Sequence, residues 1–194
     1  LQTFAALAVS SIAGYGFEIY HDKAKDTVMS ILMLAMMVPF VAVLVPLFQM
    51  FTKAKLLNSW TGFILPSIAT PFLIMYFRNS ARSFPRDTLE AARIDGLNEF
   101  QIFIRMFIPM MKPTYASAAT ITFMGAWNAY LWPKVVMQTN EAITMPMLVA
   151  NTMGGYVIDY GVVMAAVTIC SLPTVIIFFC LQKSFTNAVA GAVK

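Results

Sequence analysis

Few residues in this chain can do chemistry, and those few are scattered. The 194 residues hold nine Asp and Glu, one His and two Cys. His21 stands alone in a polar stretch, which does not suit a ligand. Cys170 and Cys180 fall in one apolar run, too far apart along a helix to bridge. No Gly-rich phosphate loop followed by Lys and Ser/Thr occurs, so the chain cannot bind and hydrolyse a nucleotide by that route. No stretch gathers a nucleophile with a base or a set of metal ligands. Neither catalysis nor a cofactor nor a metal is expected, and the 15 Met residues read as apolar filler.

Two stretches suit non-covalent chemistry. The first is Glu90-Ala91-Ala92-Arg93-Ile94-Asp95-Gly96. Pro85 suits a first helical turn, Asp87 and Glu90 sit near its positive end, and Gly96 is a natural stop. The spacing predicts a helix over Pro85 to Asp95. Leu89, Ala92 and Gly96 fall at i, i+3 and i+7, a narrow face that another backbone or groove can approach closely. Asn98 and Gln101 then have capping-box spacing. Phe100, Phe103, Ile104, Phe107 and Ile108 recur as an amphipathic stripe suited to lying on a membrane or against spanning helices. Pro109 and Pro113 end it. The second stretch is Trp127, Asn128 and Tyr130. Rings and amides of this kind can stack on and hydrogen-bond a sugar. The same residues serve equally as helix–helix glue and interface anchors.

The elements that must position these residues are apolar and long. Hydrophobic residues make up 59% of the chain and charged residues 11%, against roughly 25% charged in soluble domains. The apolar runs are continuous rather than alternating, so the fold class is an all-α integral membrane protein and not a barrel. Four full spans are expected: Val28 to Phe51, kinked by Pro39 and Pro46; Gly62 to Phe77, with Pro66 and Pro71; Pro113 to Trp132; and Tyr160 to Gln182. Leu1 to Phe17 reads as a partial span, and the chain, opening on Leu inside an apolar run, reads as lacking its N-terminal part. Glu18 to Asp26, Thr52 to Ser59 and Lys134 to Asp159 read as loops. Lys183 to Lys194 reads as a short tail.

Lys23, Lys25, Arg78, Arg82, Arg86, Arg93, Arg105, Lys112, Lys183 and Lys194 fall on one side of such a layout. Lys53, Lys55 and Lys134, the rest of the 13 basic residues, fall on the other. The positive-inside rule then puts the 84–112 loop and the 183–194 tail in the cytoplasm. The net charge of +4 needs no nucleic acid to explain it. The four spans carry no Asp, Glu, Lys or Arg, whereas ion-coupled carriers need intramembrane ionisable groups. That argues against a secondary carrier or channel acting alone and points to energy supplied from outside the membrane. A membrane-embedded enzyme would need a reactive cluster the sequence does not have.

Glu90-Ala91-Ala92, then Asp95-Gly96, then Ile108-Pro109 and Lys112-Pro113, resembles the EAA motif of ABC importer permease subunits. Gly125-Ala126-Trp127-Asn128-Ala129-Tyr130-Leu131-Trp132-Pro133 resembles the segment that follows it in carbohydrate-type permeases. Ala190 to Lys194 is similar to the end of the smaller permease of maltose-type importers. The resemblance implies a single type I importer transmembrane domain over residues 1–194, usually six-spanned, in a bacterial or archaeal inner membrane. It implies as partners an ATP-binding cassette ATPase dimer, a second permease subunit, an extracytoplasmic solute-binding protein and surrounding lipid. It also implies roles. Glu90 would be an acidic anchor toward the ATPase, Ala91 and Ala92 close-packing residues and Gly96 the turn that fixes the angle, with Asp95 among the coupling residues. By the same resemblance the tail would reach into the ATPase dimer. The outer loop, with Met145, Met147, Leu148 and Tyr156, reads from its residues either as a contact for the binding protein or as an ordinary connecting loop.

Overall fold

The computed structural model describes residues 1–139, 143–154 and 158–191, with 181–191 by backbone alone. Tyr156 and Ala192 to Lys194, singled out above, lie outside the described residues. Among the described residues every regular element is helical.

α1 (Gln2–Ile19), α5 (Pro71–Ala81) and α9 (Lys112–Trp127) pack together. Glycine sets how close α1 and α5 come. A Cβ on Gly14 would lie 2.6 Å from Phe77 Cβ and 2.7 Å from the Arg78 backbone nitrogen. Ala6, Leu73, Phe77 and Ala118 fill the seam. At its end Arg78, only 5% exposed, donates to Glu18 at 3.3 Å and to Asp26 at 2.6 Å. This ties α1 and α5 to α2 (Lys23–Ala35). The stretch read as a loop over Glu18 to Asp26 is thus mostly helical. Asp22 caps α2 by accepting from the Lys25 amide, and His21 faces Asp26 at 2.9 Å.

The spans differ from the sequence reading in continuity. Val28 to Phe51 is not one kinked helix. α2 and α3 (Phe40–Lys53) meet at 101°. Pro39 causes the break: it lacks an N–H and biases the residue before it toward extended backbone. Pro46, by contrast, stays inside α3. Gly62 to Phe77 is likewise divided, into α4 (Trp60–Ile64) with a 3₁₀ turn over Leu65–Ser67, then α5, bent by 49°. Pro113 to Trp132 ends as a helix at Trp127, where Asn128 turns back to donate its side-chain N–H to Met124 O at 2.9 Å. A short α10 (Leu131–Val136) follows. By length and composition, one described helix stretch, Tyr160–Cys180, is able to cross a membrane unaided, and up to three crossings result if each bent pair is one span. The helix carrying it, α12 (Tyr160–Gly191), runs on through Lys183, so most of the expected tail is helical backbone. α11 (Met145–Thr152) packs on α12 and breaks up the outer loop.

Candidate functional site

Between α5 and α9 the chain makes an elbow of short helices. α6 (Arg86–Ile94) starts after Pro85, which takes extended dihedrals as its N-cap. It ends at Asp95, and Gly96 adopts φ +81°, the left-handed region that glycine enters without penalty. Asn98 then caps α7 (Glu99–Ile102) in a full capping box with Gln101. Residues Phe103–Phe107 form a π turn leading into α8 (Ile108–Met110).

The π turn corrects the expected apolar stripe. An extra residue per turn shifts the register, so Ile102, Phe103 and Phe107 turn inward while Phe100 and Ile104 stay exposed. The inward residues join Tyr15, Phe84, Leu89 and Ala92 in one cluster. Tyr15 meets Phe107 and Phe103 edge-on at 4.9 and 5.3 Å between ring centroids.

α6 is therefore two-faced. Leu89 and Ala92 face inward, and Ala92 is 2% exposed. Its small size serves close packing within this chain and is not available at an outer surface, which corrects the role the resemblance gave it. Glu90, Ala91, Asp95 and Gly96 are exposed, and Glu90 makes no ion pair among the described residues. Between them stands Ile94, 86% exposed. The sequence reading passed over it, although an Ile at the last helical position off the Leu89–Ala92 face is a legible signal. Arg93 Nε donates to Glu99 Oε1 at 2.8 Å, and Tyr15 Oη donates to Glu99 Oε2 at 3.3 Å. Burial tends to raise the Glu99 carboxyl. Hydrogen bonds from Arg93, Tyr20 and Tyr15 outweigh it and hold the group below the usual carboxylate range.

Trp127, Asn128 and Tyr130 are not brought together. Trp127 Nε1 donates to Cys170 O at 2.8 Å, tying α9 to α12. Asn128 caps α9, and Tyr130 Oη accepts from Lys134 Nζ at 2.6 Å. A cavity of about 360 Å³ lies beside them instead, lined among others by Phe63, Ser67, Thr70, Thr122, Gly125 and Trp132. Among the described residues no three His, Cys, Asp or Glu are placed to hold a metal.

Residues 6–191 match the family model of the binding-protein-dependent transport system inner membrane component. The chain belongs to this family. Over 99% of its length it is 42% identical to the lactose transport system permease protein LacG of Rhizobium radiobacter, covering 70% of that protein. It is 35% identical to the arabinooligosaccharides transport system permease protein AraQ of Bacillus subtilis, over 99% of this chain and 69% of that one. In fold it is similar to the crystal structure of a bacterial ABC transporter involved in the import of the acidic polysaccharide alginate. There the TM-score is 0.80 at 23% identity, over 95% of this chain and 73% of that one. The fold is thus that of a type I ABC importer transmembrane domain. The chain is a membrane-embedded permease subunit of an ATP-driven importer, with the ATPase a separate subunit, and the reading as a self-sufficient carrier or channel falls away.

Proposed function

We propose that this subunit forms part of the passage for a sugar or oligosaccharide and is driven through the exposed rim of α6. The relatives named for lactose and arabinooligosaccharide transport support the substrate class. A solute-binding protein delivers the sugar from outside, and a second permease subunit completes the passage. The 84–112 elbow and the 183–194 tail face the cytoplasm of a bacterial or archaeal cell, where the ATPase dimer docks. The observation that carries the docking role is the division of α6. One face is locked into the chain's own core, and the other presents Glu90, Ala91, Ile94, Asp95 and Gly96 to whatever lies outside. A rim held rigidly from behind can deliver a push to the spans. For the passage, the 360 Å³ cavity is a better candidate than Trp127, Asn128 and Tyr130. It sets hydroxyls of Ser67, Thr70 and Thr122 near the rings of Phe63 and Trp132, and its size lies within the roughly 300–1,000 Å³ of small-molecule sites.

The test is uptake of labelled lactose and arabinotriose by cells carrying the complete importer, alongside co-purification of the ATPase. Glu90→Lys reverses one of the rim's two exposed carboxylates, the other being Asp95. Truncating one partner of a buried charge pair costs about 2–5 kcal/mol, and reversal is no milder. Gly96→Val places a branched side chain at φ +81°, at a cost of about 1–3 kcal/mol. Both variants should reach the membrane at normal levels and lose uptake, with the ATPase bound weakly or hydrolysing without transport. Normal uptake by both would refute the docking role.

A further inference from the structure

Beyond the docking rim itself, and resting on the reading of α6 as the driven element, the structure contains a link that would carry its movement into the membrane. Glu99 opens α7, on the far side of the Gly96 turn from α6. One of its oxygens accepts from Arg93, in the last turn of α6, and the other from Tyr15 of α1. One carboxylate thus spans three helices. Arg93 to Glu99 fixes the angle across Gly96, which no side chain of its own restrains. Tyr15 is buried, and its ring sits against Phe103 and Phe107, beyond α7. Its neighbour in sequence is Gly14, where α1 and α5 come so close that a Cβ would have no room. A displacement of α6 therefore reaches Glu99, then Tyr15, then the Gly14 seam and α5.

We propose that Tyr15 and Glu99 are positioning residues for coupling: the Tyr15 hydroxyl, Glu99 and Arg93 form a stay that makes α1 and the elbow move as one body. The ring contacts of Tyr15 hold the core together, and its hydroxyl holds the angle. Tyr15→Phe separates the two roles, because it keeps the ring and removes one hydrogen bond.

The experiment uses the complete importer in liposomes. Spin labels at Asp87→Cys on α6 and Phe4→Cys on α1, in an otherwise cysteine-free background, report the distance without nucleotide and in the vanadate-trapped state. Uptake of labelled lactose or arabinotriose per ATP hydrolysed reports coupling. With Tyr15 present, one narrow distance distribution is expected in both states. With Tyr15→Phe, a second, displaced population is expected on trapping, and the ATP hydrolysed per sugar should rise about five-fold, as loss of one direct side-chain coupling allows. Glu99→Gln should give the same phenotype, and the double variant should be no worse than either single one. A Tyr15→Phe importer with the original distances and stoichiometry would overturn the inference, as would single-variant losses that multiply in the double. Neither result would touch the proposed docking role, which fails instead if the ATPase does not depend on Glu90 and Gly96. If neither sugar is taken up by the original importer, the substrate class fails and the distance measurement still decides the stay.

Discussion

Two glycines on α1, two residues apart, should respond oppositely to the same substitution. Gly14 faces α5, and an added Cβ would sit 2.6 Å from Phe77 Cβ, 2.7 Å from the Arg78 amide nitrogen and 2.9 Å from Ile74 O. Two of these three neighbours are backbone atoms of a helix, so no side chain can swing aside. The helices themselves must separate, and overpacking of this kind costs about 1–3 kcal/mol; with a rigid partner the upper end applies. At Gly16 an added Cβ meets nothing within 4 Å. Both substitutions gain about 1 kcal/mol of helix propensity. Gly14→Ala should therefore lose about 2 kcal/mol net and Gly16→Ala gain about 1 kcal/mol. At roughly 2–4 °C per kcal/mol for a chain of this size, the two variants should melt about 6–12 °C apart. Thermal unfolding of the detergent-solubilised protein, followed by a thiol-independent probe such as tryptophan fluorescence, measures this. Equal midpoints, or a Gly14→Ala variant more stable than Gly16→Ala, would refute the close α1–α5 seam and with it the route from Tyr15 to the spans.

Two other positions are tested the same way. Arg78→Met leaves Glu18 facing Arg82 alone and Asp26 facing His21. Breaking a buried pair costs roughly 3–5 kcal/mol, and with Asp26 partly exposed a loss of about 3 kcal/mol is expected, reduced when Glu18→Gln is added; a midpoint unchanged by Arg78→Met would show that this junction is not structural. Asn58, at φ +54°, accepts from the Gln138 and Thr139 amides at 2.5 and 3.2 Å and so pins the α3–α4 connection to the end of α10. Asn58→Ala should cost about 2 kcal/mol through lost hydrogen bonds and left-handed strain, and Asn58→Gly should cost less because it keeps the turn; equal losses would mean that the backbone conformation contributes nothing.

Sequence alone determined what acts within a few residues or through composition. The apolar runs declared a helical membrane protein, because a backbone in lipid must satisfy its own hydrogen bonds. Pro85, Gly96 and the Asn98–Gln101 box located the elbow, because caps and left-handed turns depend on residue type at fixed short offsets. The Glu-Ala-Ala pattern pointed to the right family. What only the tertiary structure decided depends on partners far along the chain. Which face of α6 is used inside was settled by Tyr15 and Phe107, so Ala92 turned inward while Ile94 stayed out. Of the stripe over Phe100 to Ile108, Phe103, Phe107 and Ile108 do pack against the cluster around Tyr15, while Ile102 joins them and Phe100 and Ile104 stay out; a π turn shifts the register there, and nothing in a 3.6-residue period announces one. Pro39 broke its helix and Pro46 did not, a difference set by surroundings that two prolines in one apolar run do not reveal. Trp127, Asn128 and Tyr130 are adjacent in sequence and diverge in space, each taken by its own partner. Tyr15 and Glu99 are 84 positions apart. Their hydrogen bond exists only because Gly14 lets α1 lie against α5 and the aromatic cluster then seats α7 beside it.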